Sequence, residues 1–129
     1  MLPSVNAQDR SWAIYAHATG LLILTNVPFA NVLASLLVWL RVRKDPSMTF
    51  ARAHAATALN FQVTWTIFTV LFMGLLLAIA FSNRATLLVL LVVAYVALVL
   101  LNVLLSIVGC ARASDVKGYR YPLAIPFVR

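Results

Sequence analysis

The chain has 129 residues, of which 64% are apolar and only 10% charged, with a mean hydropathy of +0.98. Residues 11–40, 53–83 and 85–111 contain no Asp, Glu, Lys or Arg, and each stretch exceeds the ~20 residues a helix needs to cross a ~30 Å hydrocarbon core. This composition excludes a soluble enzyme, a secreted disulfide scaffold (Cys110 is the one cysteine) and a nucleic-acid module. It predicts an all-α, multi-pass membrane protein built as one transmembrane domain.

In chain order, Met1 to Gln8 carries no charged side chain and Asp9-Arg10 is balanced. The basic n-region of a signal peptide is missing, so the first apolar segment is expected to be retained. That segment is interrupted by Asn26-Val27-Pro28. Proline lacks a backbone donor and pushes the preceding residue out of the α region. The break predicts helix 1 over about 10–26 and helix 2 over about 29–43, paired as a tight hairpin; the rival is a single kinked span. Asp45-Pro46-Ser47 reads as an N-cap followed by proline in the first turn. Alanine-rich Met48 to Thr57 is expected to lie along the interface before helix 3 enters the membrane, the two together covering about 48–81. Ser82-Asn83-Arg84 is a minimal turn, and helix 4 follows over about 85–109, with Gly109 as its end signal. Residues 111–129 form a polar tail that ends in aromatic and proline residues.

The net charge of +7 comes from ten basic residues, all outside the apolar stretches. Basic residues so placed set membrane orientation and attract anionic lipid by ~1 kcal/mol each. No nucleic-acid partner is expected. In the hairpin arrangement nine of the ten basic residues share one side and only Arg84 lies opposite; a three-span arrangement gives eight against two. Both put the C-terminus in the cytoplasm, and the hairpin puts the N-terminus there too, in a bacterial inner membrane.

No carboxylate, lysine or arginine falls within the predicted spans, which disfavours an ion-coupled transporter. His17 reads as a neutral histidine bonded between helices or reaching the interface. On helix 3, Thr57, Asn60 and Thr64 recur on one face, and Gln62, Thr66 and Thr69 on a roughly opposite one. Tyr95, Asn102 and Ser106 form a seam on helix 4. Such residues join helices by hydrogen bonds worth ~0.6 kcal/mol on average; the alternative is a polar cavity lined by Asn60, Gln62 and Asn102. Trp12 and Trp39 are expected at interfaces, and Trp65 is expected to pack. Two histidines and one cysteine without ligand spacing predict neither a metal site nor a cofactor.

The stretch His54-Ala55-Ala56-Thr57-Ala58-Leu59-Asn60-Phe61-Gln62 follows Val38-Trp39-Leu40 and a basic loop ending in Met48-Thr49-Phe50. Gly118-Tyr119-Arg120-Tyr121-Pro122 comes after the last helix. Together these residues resemble a widespread family of small bacterial membrane proteins of unknown function. That family is distantly related to the Tic-twenty-like component of the chloroplast inner-envelope import machinery. The resemblance spans about residues 12–122 and implies a four-helix membrane fold with no catalytic residue. The plastid relatives are proposed to line a protein-conducting path within a larger complex. The matching positions are His54, Ala58, Leu59, Asn60, Phe61, Gln62, Tyr119, Tyr121 and Pro122.

These readings predict a non-enzymatic accessory or scaffold subunit docked to a membrane protein or to a second copy of itself. The alternatives are an oligomeric conduit built on the helix 3 polar faces and, a distant third, a lipid-acting enzyme with His54 as base. Asn60 and Gln62 are expected to hydrogen-bond backbone groups of the loop or tail, with Tyr119 and Tyr121 folded over the mouth of the bundle.

Overall fold

The computed structural model describes residues 5–25, 27–82 and 84–129. The capping residue expected at Asn26 and the turn position Asn83 lie outside these residues. The described residues form α1 (Ala7–Ala18), a 3-10 helix (Thr19–Thr25), α2 (Ala30–Val42), α3 (Thr49–Ala80) and α4 (Ala85–Ser114), with no strand among them.

The first helix begins earlier than expected because Asn6 caps it, its side chain accepting the Asp9 N–H at 2.7 Å. Its α-helical part also ends earlier, at Ala18, where the chain tightens into the 3-10 helix rather than running on to residue 26. The Thr19 hydroxyl donates to Ala16 O (2.8 Å) and pairs with Ser35 Oγ (2.6 Å), a side-chain alternative to the α-helical ladder. The next residue, Gly20, is buried against Ser106 and the Gln62 amide.

No separate interfacial segment precedes α3. Residues 49–57 are the first turns of one 32-residue helix, since an alanine-rich run with neither proline nor glycine offers no break. One face of these turns is buried, through Ala51, His54, Ala55 and Ala58. Asp45 does not cap α3. Its carboxylate accepts the Ser47 N–H (3.0 Å) and the Ser47 hydroxyl (2.6 Å), closing a local turn, and these bonds hold its pKa below the ordinary value. Gly109 does not end α4 either, which continues to Ser114.

The four helices pack around a core at one end, here termed the near end, where the N-terminal residues, the 43–48 loop and the tail gather. Val27, Pro28 and Phe29, at the tip of the α1–α2 hairpin, share a cleft with residues 65–73 of α3. From Met73 to Ala80 α3 runs about 10 Å further, accompanied there by α4. Both helices are long and apolar enough to cross a membrane by length and composition, yet only 17% and 6% of their most apolar windows are buried within the chain. A core helix of a soluble domain is covered by its own protein; these two are not. Their exposed flanks are lined by Leu71, Leu77, Val89, Leu90, Val93 and Leu100, among others.

Trp12 and Trp39 carry arginines over their rings, Arg41 at 5.5 Å and Arg43 at 4.9 Å. Trp65 packs as expected, its ring 5.2 Å from that of Phe61.

Candidate functional site

The polar residues of α3 sort into three groups, each bonded to a different part of the chain. The first joins three segments at the near end. His17 Nε2 lies 2.7 Å from His54 Nδ1, and His17 Nδ1 lies 2.8 Å from the Tyr121 hydroxyl. His17 is fully buried, and the Tyr119 ring sits edge-on to it at 5.8 Å. Each contact accommodates one proton. The three groups therefore form a chain in which Tyr121 donates to His17 and His17 to His54, or in which the direction is reversed. With both imidazoles protonated, two N–H groups would face each other across the His17–His54 contact. The cluster thus ties α1, α3 and the tail together while carrying at most one extra proton.

The second group crosses the bundle. Asn31 Nδ2 donates to Gln62 Oε1 at 2.7 Å, and Asn102 Nδ2 reaches the same oxygen at 3.4 Å. Gln62 thus bonds α2 and α4 side chains, not the loop or tail backbone expected of it. Ser106 is fully buried beside Gly20. Of the expected helix 4 seam, Asn102 and Ser106 face the core. Tyr95 lies further out, stacked on Phe72 at 6.2 Å in the cleft that also exposes Thr66 and Thr69.

The third group holds the tail. The Phe127 and Val128 N–H groups donate to Asn60 Oδ1 (2.9 and 2.8 Å), and Asn60 Nδ2 donates to Val128 O (2.9 Å). The Ile125 N–H donates to Thr64 Oγ1 at 2.9 Å, and the Thr64 hydroxyl donates to Asn60 O at 2.8 Å. The Tyr121 ring stacks on Phe61, with centroids 3.9 Å apart. The face of Asn60 and Thr64, one of the two helix 3 polar faces on which the conduit alternative was built, is therefore filled by the chain's own tail. Thr57 bonds its own helix, at Ala53 O, and Pro122 is exposed at the point where the tail turns.

The docked tail makes two predictions. Asn60→Ala removes three bonds worth about 1 kcal/mol each. Trypsin cleavage after Arg120 should then accelerate by about a hundredfold with helical content unchanged; an unaltered cleavage rate would show that other contacts hold the tail. The second concerns alkaline pH. Burial pushes the Tyr121 phenol well above its usual range of about 10 and raises Tyr119 likewise, against the opposing pull of Arg112. A phenol held neutral in the fold contributes stability that is complete below the unfolded value. That contribution is lost as the pH climbs from about 10 through the folded value. The melting temperature in detergent should fall above pH ~10, and Tyr121→Phe should flatten that fall.

Several residues of the site were not among those expected. Asp9 is buried, and its carboxylate accepts the Ala51 N–H (2.6 Å) and the Phe50 N–H (3.3 Å), capping α3 from another helix. As one of three acidic residues in the chain, it was open to notice. Asn31 and Ser35 share one face of α2 at i, i+4, a spacing that pointed to a helix contact.

Neither a curated protein nor a solved structure matches the chain. A family model does match, over residues 8–128, and it includes the cap residue Asp9, both histidines, the four amides Asn31, Asn60, Gln62 and Asn102, and the docked tail. The chain belongs to the magnetosome magnetite crystal formation protein family (MamF_MmsF).

Proposed function

We propose that the chain is a non-enzymatic membrane protein that serves as an accessory or scaffold subunit in the compartment where magnetite crystals form. The observation that carries this reading is the bare apolar exterior of α3 and α4, in a chain of this family. Counting back ~20 residues from the far end of α3 puts the hydrocarbon boundary near Phe61. The Gln62–Asn102 bond then lies just inside the near boundary, and the His17–His54–Tyr121 cluster lies in the adjoining interface. The α1–α2 hairpin enters from the near side and returns before crossing, so that both termini face the cytoplasm with most of the basic residues.

The partner is another membrane protein or a second copy of the chain, seated on the α3–α4 flanks. The sequence resemblance to the plastid import component raises a conduit as the rival. A conduit through the Asn60–Thr64 face requires that face to be open, and the tail's bonds to both residues favour the accessory role instead.

The test is purification of the tagged chain in mild detergent from isolated magnetosome membranes, with the co-purifying chains identified by mass spectrometry. A stoichiometric membrane-protein partner or a homo-oligomer is the expected result. A monomer recovered from the soluble fraction would sink the proposal. A cysteine at Val27 that reacts with an impermeant thiol reagent from the far side would refute the returning hairpin.

A further inference from the structure

The tail doubles back on itself. It enters with Tyr121 on Phe61, reverses at Pro122-Leu123, where Leu123 adopts φ 64°, and returns with Ile125 on Thr64 and Val128 on Asn60. Leu123, at this turn, is 80% exposed and edges an apolar cleft shared with Trp65, Phe68, Leu98 and Leu101. This reversal brings Arg120 and Arg129, nine positions apart in sequence, onto one groove of about 490 Å³. The groove floor is the small-residue face of α3 at Ala53, Ala56 and Thr57, with Asn60 beside it. No Asp or Glu side chain lines it, and neither arginine is ion-paired among the described residues.

We propose that this groove seats the phosphate headgroup of an anionic phospholipid of the near leaflet, held between Arg120 and Arg129. The site rests on the membrane placement proposed above. With the hydrocarbon boundary near Phe61, residues 53–60 of α3 extend from that boundary about 10 Å outward. That interval covers the headgroup layer, about 5–8 Å deep on each side of a ~30 Å core within a bilayer of ~40–45 Å. The chemistry selects the charge. Guanidinium groups bind phosphate oxygens bidentately. A zwitterionic headgroup would bring its ammonium into the same groove, where two arginines repel it and no Asp or Glu side chain receives it. The helix floor leaves room because its side chains are small, and Asn60 fixes the returning segment that carries Arg129.

The experiment is native mass spectrometry of the full-length chain in detergent, titrated with phosphatidylglycerol, with phosphatidylcholine and with inorganic phosphate. The wild type should bind phosphatidylglycerol at least tenfold more tightly than phosphatidylcholine. The double variant Arg120→Gln, Arg129→Gln should lose that preference, and Arg84→Gln, at the opposite end of the molecule, should keep it. Both tail arginines are exposed, so the double variant should retain its helical content, which circular dichroism checks. Equal binding of the two lipids by the wild type would overturn the site, as would a preference that survives the double substitution. Displacement of phosphatidylglycerol by millimolar inorganic phosphate would reassign the groove to free phosphate and overturn the lipid assignment. Carbonate extraction of native membranes separates the two levels. A chain released by carbonate refutes the membrane placement itself, whereas a retained chain without lipid preference refutes only the site.

Discussion

Replacing Gly109 by valine should destabilise the near half of the molecule by about 3 kcal/mol or more. A Cβ on Gly109 would stand 2.6 Å from His17 Nδ1, 2.7 Å from its Cγ and 2.9 Å from the Tyr121 hydroxyl oxygen. The His17 ring is bonded at both nitrogens and fully buried, so it has no free rotamer into which to retreat. Overpacking of this kind typically costs 1–3 kcal/mol, and more where the neighbours are pinned. Gly74 is the internal control, because a Cβ there meets nothing within 4 Å. Gly74→Ala should be neutral or stabilising by up to about 1 kcal/mol, the ordinary helix preference for alanine. Thermal unfolding of both variants in the same detergent decides the matter. Equal melting temperatures for Gly109→Val and Gly74→Ala would mean that α4 does not press on His17 as described.

Asp9→Ala should cost about 2–3 kcal/mol and loosen the start of α3. The Asp9 carboxylate is 3% exposed and accepts from two N–H groups in the first turn of α3, which has no cap from its own sequence. Charge-assisted bonds are worth about 1.5–3 kcal/mol, and a negative charge there also opposes the positive end of the helix dipole. The loss should appear as faster amide exchange confined to residues 49–54, alongside a lower melting temperature. Asp9→Asn, which keeps an acceptor of the same shape, should recover part of the loss. If Asp9→Ala leaves exchange in the first turn of α3 unaltered, the cap is unimportant and α3 is held by packing alone.

The packing explains where sequence patterns misled. A glycine at the end of an apolar run commonly marks a helix terminus, because it tolerates the left-handed conformation. Gly109 serves the second use of glycine, close approach, and the helix continues for five more residues. Asp45 had the spacing of an N-cap, yet Ser47 satisfies its carboxylate locally. Asp9 takes the capping role from 42 positions away. Gln62 and Asn60 were both legible as unusual amides in an apolar helix. Their partners were not, since two residues apart on a helix they point to different neighbours: α2 and α4 for one, the tail for the other.

By itself the sequence determined an all-helical chain and the approximate extents of its two long apolar helices. Composition and periodicity carry these, because burying apolar surface and satisfying backbone donors are demands each segment meets locally. Only the tertiary structure decided that His17, His54 and Tyr121 form one hydrogen-bonded chain and that Asp9 caps a helix other than its own. It also decided that the tail fills the Asn60–Thr64 face and sets Arg120 and Arg129 on one groove. Apart from the two arginines, these depend on which residues meet across 37 to 104 positions of sequence, and such meetings are set by the packing of whole helices, which no local pattern records.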